Sequence, residues 1–102
     1  MSEISALQNE IRAFADDRKW EIFHTPKNLS MAVAGEAGEL VAEFQWLTAE
    51  ESTRSSLTAS KLEAIELEIA DVAIYLFRLA DVLKVDLGSV MRKKIEINQS
   101  RF

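Results

Sequence analysis

The chain has 102 residues and a formal net charge of −5, a length typical of one domain, so residues 1–102 are interpreted as a single domain. Hydrophobic residues make up 48% of it, enough to form a core, whereas only three glycines and one proline are present. This scarcity of turn residues disfavours an all-β domain and predicts an all-α fold.

Charge and composition also exclude several kinds of partner. A net negative charge argues against a general nucleic-acid-binding protein, because such proteins need positive surface to displace counterions. Charged residues interrupt every apolar run that could span a bilayer. The first ten residues, MSEISALQNE, lack the basic and then apolar regions of a secretory signal. The chain has no cysteine, so it has no disulfide or thiolate metal site, and we expect a cytoplasmic protein. The charge and the interrupted apolar runs lead us to expect binding to neither nucleic acid nor membranes.

The first predicted helix covers about residues 5–19, where apolar residues recur at helical spacing. Ser5 and Gln8 have the spacing of a capping box at its start. The second helix covers about residues 28–47. It contains Gly35 and Gly38, which are costly inside a helix and predict close approach of another backbone or a ligand.

The polar segment 48–58 is the most loop-like part of the chain. The third helix is expected at about residues 60–84, with Ser60 and Glu63 as its capping box. After a short corner, Asp86 is expected to cap a fourth helix that ends near residue 100. Four helices and one long loop predict a bundle. The second and third helices are apolar almost all round, so we expect self-association to cover them.

The second and third helices also carry paired carboxylates. In GEAGELVAEFQW, Glu36, Glu39 and Glu43 share one face, because residues three or four apart are neighbours on a helix. In ELEIADVAIYL, Glu68 and Asp71 form a second pair. If the two helices pack side by side, these groups converge, and a hard divalent cation such as Mg²⁺ or Mn²⁺ relieves their repulsion and desolvation. The predicted metal ligands are Glu36, Glu39, Glu68 and Asp71.

A single E-x-x-E motif usually lies on a solvated helix face. Glu63 and Glu66 are interpreted in this way, because they extend the polar side of the third helix near its start. Glu43 is open to two interpretations, either solvated or placed just behind the metal ligands. Two pairs that are both embedded in apolar residues are harder to explain as solvated surface.

The order of the two motifs resembles the MazG-like, all-α nucleoside triphosphate pyrophosphohydrolases, whose pattern is E-x-x-E, a gap, and E-x-x-D. Here Glu36-x-x-Glu39 is followed after 28 residues by Glu68-x-x-Asp71. The segments KWEIFHTPKNL, Gln45-Trp46 and KKIEINQSRF are similar to the branch that contains the dCTP pyrophosphatases. The resemblance covers nearly the whole chain and implies a four-helix bundle-like fold that is completed by oligomerisation, with a tetramer favoured over a dimer.

The same resemblance implies Mg²⁺-dependent hydrolysis of nucleoside triphosphates, dCTP or related deoxynucleotides among them, to monophosphate and pyrophosphate. The four carboxylates would hold the metal, and Trp20, His24, Trp46 and Tyr75 would line the nucleotide pocket. Ile11 departs from the mammalian dCTP enzymes, which carry a histidine at this place in the first helix. The preferred base is therefore left open.

The residue types themselves suggest substrate contacts, because aromatic faces stack on any base. The aromatic candidates are Trp20, Phe23, Trp46 and Tyr75. The candidates for phosphate or sugar contacts are Lys27, Lys94, Asn98 and Arg101.

Two rival functions remain. A di-iron carboxylate bundle would use Glu21-x-x-His24, but such sites need two E-x-x-H motifs and this chain has one histidine. A non-enzymatic helical assembly or regulatory module would bind no divalent ion and would tolerate change at the acidic positions.

Overall fold

The computed structural model describes residues 2–102, and within them it contains four α-helices and no strand. Helix α1 is Glu3–Asp17, α2 is Pro26–Phe44, α3 is Ala59–Val82 and α4 is Leu87–Arg101. A short 3₁₀ turn, Arg54–Ser56, lies in the connection between α2 and α3. The predicted all-α class is confirmed.

Each helix begins at a polar side chain that accepts a hydrogen bond from the third residue after it. These caps are Ser2, Thr25, Thr58 and Asp86. Only Asp86 agrees with the sequence prediction, and the expected caps Ser5 and Ser60 are wrong. The earlier hydroxyls cap equally well and let the helices add backbone hydrogen bonds, from Ala6 to Ser2 at 3.0 Å and from Leu62 to Thr58 at 2.9 Å.

Two residues after the last residue of α1 and of α3 lies a lysine in the left-handed region, Lys19 with φ 57° and Lys84 with φ 59°. In each case the next residue donates its backbone N–H to a carbonyl five residues earlier, from Trp20 to Ala15 at 3.0 Å and from Val85 to Ala80 at 2.9 Å. This is the Schellman ending, which normally uses glycine.

Helix α3 is the central element, because α2 packs along it and α1 packs against it. The buried apolar residues of the described chain are few: Ala15, Leu29, Ile65 and Ala80. Polar contacts also join α1 to α3, where the Gln8 side chain donates to the Phe77 carbonyl at 3.0 Å. Among the described residues no helix has the length and hydropathy needed to cross a bilayer.

The single chain is unusually open. Its radius of gyration is 16.1 Å, compared with about 13 Å for a compact domain of this size. No residue of α4 is buried, and large apolar side chains on α2 and α3 are exposed, among them Met31, Val41, Leu67 and Ile69. The expected close approach to Gly35 and Gly38 does not occur within the chain, because a Cβ at either position would meet no atom within 4 Å.

Candidate functional site

Three of the predicted metal ligands come together between α2 and α3. Glu36, Glu68 and Asp71 each offer a carboxylate oxygen, and these oxygens lie within 4.8 Å of one another. Glu36 and Glu68 are half-buried, whereas Asp71 is exposed. The side-by-side packing of α2 and α3 brings the two acidic motifs together, as expected from their positions on the helices.

Glu68 is the least favourably placed carboxylate of this cluster. Its Oε2 atom is buried and has no hydrogen-bond partner among the described residues. Burial raises the pKa of the Glu68 carboxyl above its usual range, and the nearby charges of Asp71 and Glu36 raise it further. An unpartnered carboxylate oxygen beside two other carboxylates is the arrangement that a hard divalent cation satisfies, because Mg²⁺ and Mn²⁺ prefer oxygen ligands. The residues present therefore fit a divalent metal.

The other two acidic residues of the α2 face are placed differently. Glu39 is exposed and lies outside the group of three, although its charge also contributes to the raised pKa of Glu68. Glu43 accepts a hydrogen bond from Lys61 Nζ at 2.9 Å in a half-buried ion pair. This pairing gives Glu43 a partner outside the acidic cluster, so Glu43 is not a fully solvated carboxylate, and its place just behind the metal ligands stays a prediction.

A cavity of about 240 Å³ adjoins the acidic cluster and contains three of the predicted nucleotide-binding residues, Trp20, His24 and Tyr75. Its remaining lining residues are Ile11, Phe14, Ala15, Asp71, Ile74 and Arg78. Trp20 is held against Phe14 in an edge-to-face contact with ring centroids 5.6 Å apart. The cavity is thus aromatic and apolar on most sides, with a carboxylate of the acidic cluster at its edge.

A chain of charged groups lies behind His24. The Arg78 side chain is buried, and its Nε donates a hydrogen bond to His24 Nδ1 at 3.0 Å. Arg78 Nη1 also donates to Asp81 Oδ2 at 3.5 Å, and Asp81 accepts two hydrogen bonds from Arg12 at 2.8 and 2.6 Å. Burial lowers the pKa of His24, Arg78 lowers it further, and Glu21 opposes them. The neutral form of the His24 ring is therefore favoured.

The other predicted substrate-binding residues lie outside this cavity in the single chain. Phe23 is 60% exposed, and Trp46, just beyond the end of α2, is 87% exposed. Lys27 is exposed at the start of α2. The remaining three lie on α4: Lys94, Asn98 and Arg101. Asn98 lines a separate shallow cavity with Ile95, Gln99 and Phe102.

Arg78 is a cavity residue that was not predicted, although the sequence carries a signal for it. Asp71, Ile74, Tyr75 and Arg78 follow the i, i+3, i+4, i+7 spacing of one helix face, and all four line the cavity. A charged residue on the stripe that begins with a predicted metal ligand is a site candidate. The hydrogen bond from Arg78 to His24 joins residues 54 positions apart, so its geometry could not be inferred from helical spacing.

The di-iron interpretation receives no support from the described residues. The carboxylate group contains no histidine, and His24 uses Nδ1 to accept from Arg78 instead.

Comparison with known proteins agrees with the geometry. The chain is 42% identical over 89 residues to dCTP pyrophosphatase 1 from Homo sapiens and 39% identical over 89 residues to the enzyme of that name from Bos taurus. These matches cover 87% of this chain but only 52% and 53% of the relatives, so the chain spans about half the length of the curated relatives it matches. A crystal structure of a pyrophosphatase from Archaeoglobus fulgidus aligns with a TM-score of 0.89 and 33% identity, and the alignment covers 100% of this chain and 94% of that one.

The model of the MazG-like family matches residues 32–101, which contain both acidic motifs and more than half of the chain. The resemblance read from the two motifs is confirmed: the chain belongs to the MazG-like family.

Proposed function

We propose that this chain hydrolyses deoxynucleoside triphosphates to the monophosphate and pyrophosphate, with Mg²⁺ as the cofactor and dCTP or a related nucleotide as substrate. The observation that carries the proposal is the position of Asp71, which belongs both to the acidic cluster and to the lining of the aromatic cavity. A metal-bound triphosphate and its base can therefore be held side by side. The named activities of the similar pyrophosphatases support the same reaction.

Each part of the site has a role in this proposal. Glu36, Glu68 and Asp71 would hold the metal, and Glu39, one helical turn after Glu36, would complete the ligand set by a side-chain rotation. Bound Mg²⁺ would neutralise the triphosphate and lower the pKa of an attacking water. Trp20 and Tyr75 would pack against the base, while the apolar cavity wall excludes water from it.

The reaction is tested by offering the protein all common deoxynucleotides with Mg²⁺ and identifying the products by chromatography. Monophosphate plus pyrophosphate is expected from attack at the α-phosphorus. Diphosphate plus orthophosphate would contradict the proposed reaction. Asp71→Asn and Glu39→Gln should lose Mg²⁺-dependent turnover and keep their helical circular dichroism. Glu66→Gln is the matched control, because Glu66 is an exposed carboxylate on α3, the helix of Asp71, and lies outside the cluster.

We also infer that the site is completed by a second copy of the chain in a homo-oligomer, with a tetramer favoured over a dimer. The cavity of about 240 Å³ is smaller than the roughly 300–1,000 Å³ of typical small-molecule sites. Helix α4, with no buried residue, and the uncovered faces of α2 and α3 supply surface for association. Open space over Gly35 and Gly38 leaves room for a neighbouring chain.

In such an assembly a neighbouring copy would bring Trp46, or the segment 94–101, to the cavity. Sedimentation at micromolar concentration should show an oligomer. Glu39→Gln and a second variant that combines Trp46→Ala with another pocket change should partly restore activity when they are refolded together. A fully active monomer would refute both the assembly and the shared site.

A further inference from the structure

Arg78 is the buried charged residue of the described chain, and its place in the structure requires an explanation. It is 6% exposed, lies on α3 two helical turns after Asp71, and lines the aromatic cavity. Burying a guanidinium is costly unless its hydrogen-bonding groups have partners. Asp81 supplies the counter-charge at 3.5 Å, but the shorter contact, at 3.0 Å, joins Arg78 Nε to His24 Nδ1.

This contact determines where the proton of His24 lies. A guanidinium has five N–H donors and no acceptor, so the nitrogen that receives the Arg78 hydrogen bond carries no proton. The neutral imidazole then has its proton on Nε2. The lowered pKa of His24, caused first by burial and then by Arg78, favours the neutral ring.

The Nε2 atom is available to a ligand. The structure shows no hydrogen bond from a described residue to Nε2, and this nitrogen is not a fully buried atom without a partner. His24 itself lines the cavity beside Trp20, with the two ring centroids 6.0 Å apart. The lining also includes Ile11 and Ile74, whose side chains offer no hydrogen-bonding group.

We propose that Arg78 is a positioning residue that acts through His24: it fixes the Nε2–H tautomer and so gives the cavity a hydrogen-bond donor of fixed polarity. The cavity then selects a base edge that presents a carbonyl oxygen or an unprotonated ring nitrogen at this point, and disfavours an edge that presents an amino group. The Tyr75 hydroxyl can rotate to donate or accept, and therefore discriminates less. The base selection rests on the proposed function of the cavity, whereas the tautomer does not.

The tautomer is tested directly by NMR, because His24 is the only histidine. The protein is labelled with ¹⁵N-histidine and carries no histidine tag, so every imidazole signal belongs to this residue. Above the titration range of the ring, Nε2 should show the shift and one-bond coupling of a protonated nitrogen, and Nδ1 those of an unprotonated one. A proton on Nδ1 in the wild-type protein would overturn the proposal, whether or not any variant folds.

Arg78→Met should release the ring, so that both tautomers are populated. Arg12→Met is the matched control, because it removes the exposed end of the same ion-pair chain and leaves the Arg78–His24 contact in place. The control should lower thermal stability without changing the His24 spectrum. A purely structural Arg78 would instead give the wild-type tautomer in both variants.

Kinetics then test the selection. In Arg78→Met the KM for the preferred deoxynucleotide should rise roughly twofold to threefold, with a smaller change in kcat, because only the fraction of His24 rings that keep the proton on Nε2 still donates to the base. The KM ratio between nucleotides should shrink, and Arg78→Met should add nothing further in a His24→Phe background. Additive effects, or an unchanged ratio, would refute the inference while leaving the proposed function intact. A wild-type protein that hydrolyses no deoxynucleotide would refute the proposed function and the base selection, with the NMR result still reporting the tautomer.

Discussion

Asp81 joins the exposed and buried halves of the ion-pair chain, so its removal should cost more than removal of Arg12. The Asp81 side chain is 12% exposed and accepts hydrogen bonds from Arg12 at 2.8 and 2.6 Å and from Arg78 at 3.5 Å. Asp81→Asn keeps the shape but removes the charge and one acceptor. Buried Arg78 is then left without a counter-charge, a loss that typically costs more than the pair itself stabilises.

The loss of stability in each variant can be estimated from the hydrogen bonds that are removed and the exposure of the side chains. Hydrogen bonds to charged groups are worth about 1.5–3 kcal/mol, so Asp81→Asn should lower the free energy of unfolding by about 2–3 kcal/mol. Arg12→Met removes a side chain that is 44% exposed and leaves Arg78 beside Asp81, so it should cost about 1 kcal/mol or less. For a chain of this size the first change corresponds to a loss of roughly 10–20 °C in Tm.

The effect also has a predicted pH dependence. The hydrogen bond from Arg12 is the largest influence that lowers the pKa of Asp81, and it outweighs the burial that raises the pKa. The folded state therefore binds the Asp81 proton more weakly than the unfolded state does. The stabilisation is fully present above the unfolded pKa and disappears as pH falls through the lower folded pKa, so the stability gap between wild type and Asp81→Asn should begin to narrow below about pH 4.

The assay is urea or thermal unfolding followed by circular dichroism for wild type and both variants, at one protein concentration because association would shift the midpoint. Asp81→Asn at pH 7 should unfold well before Arg12→Met. If the two variants lose equal stability, or if the Asp81→Asn gap is the same at pH 3 and pH 7, the ion-pair chain does not stabilise the fold in the way described.

Three further changes have expected outcomes. Trp46→Ala should raise KM, because stacking on a base is worth roughly 1–3 kcal/mol. The stability of the single chain should change little, because this side chain is 87% exposed. An unchanged KM for every nucleotide would mean that Trp46 does not touch the base. Glu68→Gln should raise Tm in the absence of metal, because it removes the charge of a carboxyl whose pKa is raised by burial and by Asp71 and Glu36. It should also abolish the further stabilisation that Mg²⁺ gives the wild type. Thermal unfolding with and without Mg²⁺ measures both effects. Lys84→Gly should raise the free energy of unfolding by about 0.5–1 kcal/mol, because only glycine adopts φ 59° without a steric penalty. A loss of stability would mean that the Lys84 side chain makes a favourable contact.

The helices and the acidic cluster could be predicted because both depend on local spacing. Helical periodicity located all four helices to within a few residues, and the Glu36 and Glu68 motifs met because α2 packs along α3. The errors at the helix starts, Ser5 and Ser60, arose where two hydroxyls lay close together and either could serve as the cap. Sequence spacing does not show which of the two gives the longer helix.

The partners of individual charges could not be predicted, because they depend on contacts between distant segments. Arg12 and Asp81 are 69 positions apart and meet only because α1 packs against α3. Glu43, which shares a helix face with the predicted metal ligands Glu36 and Glu39, is instead paired with Lys61. Trp46 looked like a pocket residue by its type, yet in one chain it lies in solvent beyond the end of α2.

One face of α3 connects the acidic cluster to the cavity. Asp71 lies in the acidic cluster, Tyr75 lines the cavity one turn later, and Arg78 contacts His24 almost one turn beyond that. Because an α-helix rises 1.5 Å per residue, Asp71 of the acidic cluster and Arg78 beside His24 are separated by about 10 Å along one helix. Packing of α1 and α2 on this helix fixes it from two sides. The distance between the triphosphate end and the base end of the proposed site is therefore set by helix geometry, while α4 and the end of α2 remain free to meet a neighbouring chain.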